Sequence, residues 1–237
     1  MFYTHTIVGD VAYFDEIELR HCIQVLRKKP GDEILFTDGA GSIYNGRIIS
    51  AGKKEFLAQI MSSEEQKKEL TNDLHVAIAP TKNIDRFEWF LEKATEMGIA
   101  EITPVICKNS ERRRIRPERL EKILLSAMKQ SFRSFLPTLN PLVQYEEFIR
   151  SIETGTELDR FIAHCHADNL PHLFHNSQSN KSVLVMIGPE GDFDLQEIEM
   201  ARKSGFVPVS LGPSRLRTET AGIAAVHIIN LKNQLGT

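Results

Sequence analysis

Two short stretches near the end of this 237-residue chain carry the residue types a ligand site needs. The first is Gly188-Pro189-Glu190-Gly191-Asp192-Phe193, directly after the apolar run Val183 to Ile187. The second runs from Leu211 through Gly212, Pro213, Ser214, Arg215, Leu216, Arg217, Thr218, Glu219 and Thr220 to Ala221. Each follows a buried-strand pattern and opens a helix. In an open α/β sheet, ligands bind beyond the carboxyl ends of the strands, where such loops expose backbone N–H groups. Glycine lets the main chain approach a ligand closely, and proline fixes the loop shape. One such loop can be no more than a tight turn; two together favour a binding site. A third stretch, Lys108 to Arg119 (KNSERRRIRPER), is the strongest basic cluster. It also follows a strand pattern, so Arg112, Arg113 and Arg114 are read as phosphate contacts rather than as a solvated face. Arg27, Lys28 and Lys29 offer a second basic spot.

Other chemistries are disfavoured. No G-x-G-x-x-G follows a strand and no G-x-x-x-x-G-K-[ST] occurs, which argues against the common dinucleotide fold and the P-loop. His164-Cys165-His166, with His172 and His175, matches no usual zinc spacing, so no metal is expected. Three separated cysteines argue against a disulfide framework and fit a reducing cytoplasm. The N-terminus MFYTHTIVGD has no signal-peptide character, and no apolar run nears the roughly 20 residues of a membrane span. With a net charge of -3, any nucleic-acid binding must come from local patches.

The elements that must position these loops fall into two groups. Asp15 to Leu26 reads as a short helix, with Ile17, Ile23 and Leu26 near helical spacing. Strands are expected at Glu33 to Thr37, Ser42 to Ser50 and Phe56 to Met61, separated by Gly-rich turns, which reads as a small barrel. The almost wholly polar stretch Ser62 to Asp73 reads as a linker, giving domains 1–70 and 73–237. Beyond it, strands at 74–79, 102–107, 161–164, 183–187 and 207–211 alternate with helices at 84–97, from Pro117, from Asp194 with Glu197 as a capping-box partner, and to near Leu231. That alternation implies an α/β domain on a mostly parallel sheet. Phe87, Phe90 and Leu91, with Trp89, read as helix packing rather than base stacking.

With the motifs in place, the chain resembles a known family. GPEGDF and LGPSRLRTETA, about twenty residues apart, are similar to the paired loops of the RsmE family of SPOUT methyltransferases. Arg86, Lys93-Ala94-Thr95-Glu96-Met97-Gly98, Ser110-Glu111-Arg112, Gln130-Ser131-x-Arg133 and His21-x-x-x-Val25-Leu26-Arg27 match its pattern too. The resemblance spans nearly the whole chain. It implies a PUA-like N-terminal β-barrel, a C-terminal α/β domain tied in a trefoil knot, and a homodimer with cofactor sites at the subunit interface. It also implies S-adenosyl-L-methionine as cofactor and methylation of N3 of a uridine (position 1498) in 16S ribosomal RNA, within the small ribosomal subunit and hence in the cytoplasm. The alternatives are a related knotted enzyme acting on tRNA or a ribose hydroxyl, and a non-catalytic ribosome-assembly factor.

On this reading His164, Gly188, Pro189, Glu190, Gly191, Leu211, Gly212, Leu216, Thr218, Thr220 and Ala221 form the cofactor site. Arg27, Arg86, Arg112, Arg113, Arg114 and Arg133 contact RNA. Uracil N3 bears a proton and is a poor nucleophile until it leaves, so negative charge developing on the base needs a cation. Arg217 is the candidate cation, and Glu219 the candidate proton acceptor. Two positions depart from the family's pattern. Asp192 stands where glycine is usual, at a site where aspartate tolerates unusual backbone angles. Ser214 stands where arginine is usual, beside Arg215 in place of an apolar residue.

Overall fold

The structure is a computed structural model, described over residues 1–66, 73–152, 158–179 and 181–236. Its contacts divide the chain into two units, Met1–Glu69 with Leu125–Leu136, and Leu70–Leu124 with Pro137–Thr237.

The first unit is a six-stranded sheet. Strands β1 (Phe2–Tyr3), β2 (Thr6–Val8) and β3 (Val11–Phe14) precede helix α1 (Glu16–Arg20), followed by β4 (Glu33–Thr37), β5 (Ser42–Ala51) and β6 (Phe56–Glu65). The order is β1-β4-β5-β6-β3-β2, antiparallel except for β1 beside β4. The Gly-rich turns predict β4, β5 and β6. The first three strands have at most four residues each, too short for an alternation to register. β6 runs on to Glu65, into the expected linker, because polar Ser62, Ser63 and Glu64 pair with β5; residues 67–72 of that linker lie outside the described residues.

The expected helix at 15–26 is capped at Asp15, whose side chain accepts the Glu18 N–H, but after Arg20 it loosens into a π-turn over His21–Val25. Its apolar stripe is also corrected: Ile17, Ile23 and Leu26 are exposed, and Leu19 and Cys22 face the core. There Phe14 stacks on Phe56 with centroids 4.3 Å apart and meets Phe36 edge-on at 5.1 Å. Each such pair adds about 1 kcal/mol beyond its burial.

The second unit contains β7 (Leu74–Ile78), α2 (Ile84–Glu96), β8 (Glu101–Ile106) and α3 (Pro117–Gln130), whose C-terminal part falls in the first unit. The chain otherwise divides after Glu69. Lys129 pairs with the buried Glu18, and the Gly41 and Leu136 N–H groups bond to Ser134 O and Gly39 O. Next come β9 (Thr138–Leu139), β10 (Val143–Gln144), α4 (Tyr145–Ser151), β11 (Leu158–Ala163), α5 (Leu173–Asn176), β12 (Ser182–Ile187), α6 (Leu195–Lys203), β13 (Val207–Val209) and α7 (Thr218–Leu235).

The seven strands are all parallel, in the order β10-β8-β7-β12-β11-β13 with β9 also on β8. Parallel strands need cover on both faces, hence the near-continuous apolar runs of β7, β8 and β12. On one face Ala77, Val105, Ile162 and Met186 pack with Tyr145, Phe148, Ile198 and Ala201 of α4 and α6. On the other, α2 and α7 meet at Gly222, where a Cβ would stand 2.6 Å from the Phe90 ring. Every strand therefore ends its carboxyl side at the same edge, where the Gly/Pro loops lie.

Candidate active site

The loop after β12 is fastened from three directions. Phe193 is buried and folds back under Gly188, where a Cβ would come within 3.1 Å of its ring. Glu190 Oε1 accepts the Lys82 N–H at 2.9 Å, from the loop after β7. Asn109, after β8, donates its Nδ2 to Gly191 O at 3.3 Å and Asp192 O at 3.1 Å, and a Cβ on Gly191 would stand 3.1 Å from the Asn109 Cβ. The expected capping box is present at Asp194: Glu197 Oε2 accepts the Asp194 N–H while its Oε1 accepts the Lys108 N–H, both at 2.8 Å. The Lys108 ammonium also bonds Asp194 at 2.8 Å and holds that carboxyl below its ordinary range.

The loop after β13 is shaped by Ser210, whose Oγ accepts the Gly212 N–H and donates to Gly212 O. Gly212 has φ 129, open only to glycine at no cost, with nothing within 4 Å of the place a Cβ would occupy. Thr218 Oγ1 donates to Gly188 O at 3.0 Å and so locks the two loops together.

Between them lies a cavity of about 360 Å³, within the range of small-ligand sites. Of the site residues read from the sequence, His164, Gly188, Pro189, Glu190, Leu211, Gly212, Leu216, Arg217, Thr218 and Ala221 line it. Ala163, Cys165, Ile187, Asp192, Val209, Ser210, Ser214 and Arg215 line it as well. The strand-end residues among these were missed because nothing in an Ala, Ile or Val says which strand it ends. Burial pushes the His164 pKa down and the Cys165 thiol up, with Asp192 raising both.

Three expected residues do not line this cavity. Gly191 is a glycine for Asn109's sake. Glu219 and Thr220 sit on the other side of the first turn of α7, because residues 218 and 221 share a helix face that 219 and 220 do not. Glu219 is 7% exposed, with Oε1 3.8 Å from Arg86 Nε and Oε2 buried without a hydrogen-bond partner. It opens on a shallower hollow shared with Asp85, Arg86, Trp89 and Thr220. Trp89 is 44% exposed, so the packing reading holds for Phe87, Phe90 and Leu91 but not for it.

The basic residues divide as well. Arg112 is a brace, its Nε donating to Thr81 O at 2.9 Å and its Nη2 to Lys82 O at 2.6 Å. Arg113 and Arg114 are exposed beside it. Arg27, exposed at φ 55, and half-buried Arg133 belong to the first unit. His172 is accounted for locally, its Nδ1 accepting the Phe174 N–H at the start of α5.

The parallel α/β domain, with its cavity at the carboxyl edge, and the small β domain each match a known domain family. One described as RNA methyltransferase domain covers residues 68–230, and one described as RNA methyltransferase PUA domain covers residues 14–61. Fold and site together thus define an RNA methyltransferase, an α/β domain with a PUA β domain. The ribosomal RNA small subunit methyltransferase E of Mesomycoplasma hyopneumoniae is 32% identical over 181 residues, 74% of this chain and 75% of its own. The chain belongs to that ribosomal RNA small subunit methyltransferase E family. The crystal structure of a probable rRNA-methyltransferase from Porphyromonas gingivalis superposes with a TM-score of 0.91 at 37% identity, covering 100% of this chain and 99% of that one. The structure of the methyltransferase E of Neisseria gonorrhoeae, bound to S-adenosyl methionine, gives 0.81 at 28%, covering 97% and 96%.

Proposed function

We propose that this protein transfers a methyl group from S-adenosyl-L-methionine to N3 of a uridine (position 1498) of 16S ribosomal RNA, on the small ribosomal subunit in the cytoplasm. The observation that carries the reading is the cavity closed by the Thr218–Gly188 bond between the two Gly/Pro loops. Its make-up fits the cofactor: apolar Leu211, Leu216 and Ala221 for the adenosine, and at Gly212 an open space that any side chain would fill. The gonococcal relative holds the same cofactor. When bound, that cofactor supplies a methyl already activated on a sulfonium.

The chain's own work is then to hold uracil N3 in line with the methyl and to offset the charge that develops as the N3 proton leaves. Arg217, the N-cap residue of α7, lines the cavity, which supports the second task for it. Glu219, turned toward Arg86 and Trp89, is not placed to take the proton from a base in this cavity. Instead its unpaired buried oxygen, beside an exposed tryptophan, supports a homodimer in which a second copy covers this face of α2 and α7.

Incubating small subunits from a deletion strain with the protein and methyl-labelled cofactor tests the reading. Label in N3-methyluridine is the expected result. Label in a 2′-O-methyl nucleoside or in tRNA would give the protein another substrate, and binding without transfer would make it an assembly factor.

A further inference from the structure

Asp192 has φ 62, in the left-handed region that glycine enters freely and other residues enter only under constraint. Its side chain supplies that constraint. Oδ2 accepts the Cys165 N–H at 2.8 Å, and Oδ1 accepts the Phe193 N–H at 2.8 Å. The residue after Cys165 along the chain, His166, joins in. His166 Nε2 bonds Phe193 O at 2.7 Å, as a donor because a carbonyl can only accept, and lies 3.7 Å from Asp192 Oδ2. His164 Nδ1 in turn accepts the His166 N–H at 3.2 Å. The loop after β11 therefore closes on the loop after β12 through one carboxylate and one imidazole. Asn109 holds the Asp192 carbonyl from the far side, so the carboxylate projects from a fixed base.

We propose that Asp192 is a positioning residue for the cofactor cavity, clasping the wall formed by His164 and Cys165 so that the cavity is shaped before the ligand arrives. The proposal rests on reading that cavity as the S-adenosyl-L-methionine site. His164, Cys165 and Asp192 all line it, and the wall follows the last paired residue of β11, Ala163. Hydrogen bonds accepted by a carboxylate are stronger than neutral ones, which suits a contact that must help hold a loop.

Two full-length variants test the clasp. Asp192→Gly suits the backbone but deletes the acceptor; Asp192→Asn keeps both the backbone tolerance and an acceptor oxygen. Calorimetry should show S-adenosyl-L-methionine bound about tenfold more weakly by Asp192→Gly, the cost of the one charge-assisted bond that joins the two loops, to Cys165, with most of the affinity retained in Asp192→Asn. Hydrogen exchange should speed at the Cys165 amide in the glycine variant and stay unchanged at Val185 and Met186 in β12. Wild-type affinity in Asp192→Gly, unchanged exchange at Cys165, or equal losses in both variants would overturn the proposal. Failure of the wild type to bind the cofactor would sink the reading of the cavity instead, and the exchange comparison would still decide the clasp.

Discussion

Arg217 caps α7 with its backbone alone: φ is -72, ψ is 157, its carbonyl accepts the Ala221 N–H at 2.7 Å, and its side chain makes no capping bond. Arg217 itself lines the cavity. If it stabilises charge only in the transition state, Arg217→Ala should lower the methyl-transfer rate about 10²–10³-fold, the cost of removing one preorganised donor. Cofactor affinity should change little. Arg217→Lys should recover little, since a point charge does not replace a planar fork. Single-turnover transfer with calorimetry in parallel checks both; a normal rate in Arg217→Ala would pass the role to Arg215, which shares the cavity. Gly212→Val should abolish cofactor binding in a folded protein, because φ 129 is closed to a branched residue and the open space would be filled. Unchanged affinity would remove Gly212 from the site. At this scale the glycines and prolines made the site legible. Asp192 was legible as a tolerated departure, but its carboxylate's reach to Cys165 was not, since 27 residues separate the two in sequence. Glu219 misled because neighbours in sequence are not neighbours on a helix face.

Elements with strong local signals were read within a residue or two: α2 as a helix over 84–97, α6 from its capping box, β4, β7, β8 and β12 from apolar runs between turns. Those missed are short or depend on a neighbour. β9 and β10 are two residues each and exist only as partners of β8. The π-turn after α1 has no sequence mark at all. One feature of β7 and β8 makes a prediction about pH. His75 is half-buried, with Nε2 2.7 Å from Thr103 Oγ1 and Nδ1 3.8 Å from Glu101. Burial pushes its pKa down, and Glu101 pulls it only partly back. The unfolded chain therefore binds this proton more readily than the folded one. Above the ordinary histidine value of about 6.5 the ring is neutral in both states and costs nothing; stability falls as the pH drops below it toward the lower folded value. Thermal melts between pH 8 and 5 should show this loss, and His75→Gln should flatten it. An unchanged slope in that variant would assign the acid sensitivity elsewhere.

The net charge of -3 gives no hint of an RNA partner, which must be held by local charge. Because Arg112 braces the loop after β7, neutralising it would confound folding with binding. Arg113 and Arg114 are the cleaner probe. Changing both to glutamine should weaken RNA binding and reduce the slope of log affinity against log salt by roughly 1–2, as up to two fewer phosphates are neutralised. Cofactor binding should survive. A wild-type slope would make the pair a solvated face. At the scale of the whole molecule, the alternation of the longer strands and helices in the second unit was legible, while the assignment of residues 125–136 to the first unit was not, because it depends on contacts such as Lys129 with Glu18. The most direct test of the central claim reads the RNA itself. N3-methyluridine cannot pair on its Watson–Crick edge, so reverse transcriptase stops there, whereas a ribose methyl leaves pairing intact. Extension along 16S RNA should show one stop near its 3′ end that disappears in cells lacking this protein. The wild-type protein should restore that stop, and Arg217→Ala should not. A stop that persists in the deletion strain would contradict the account.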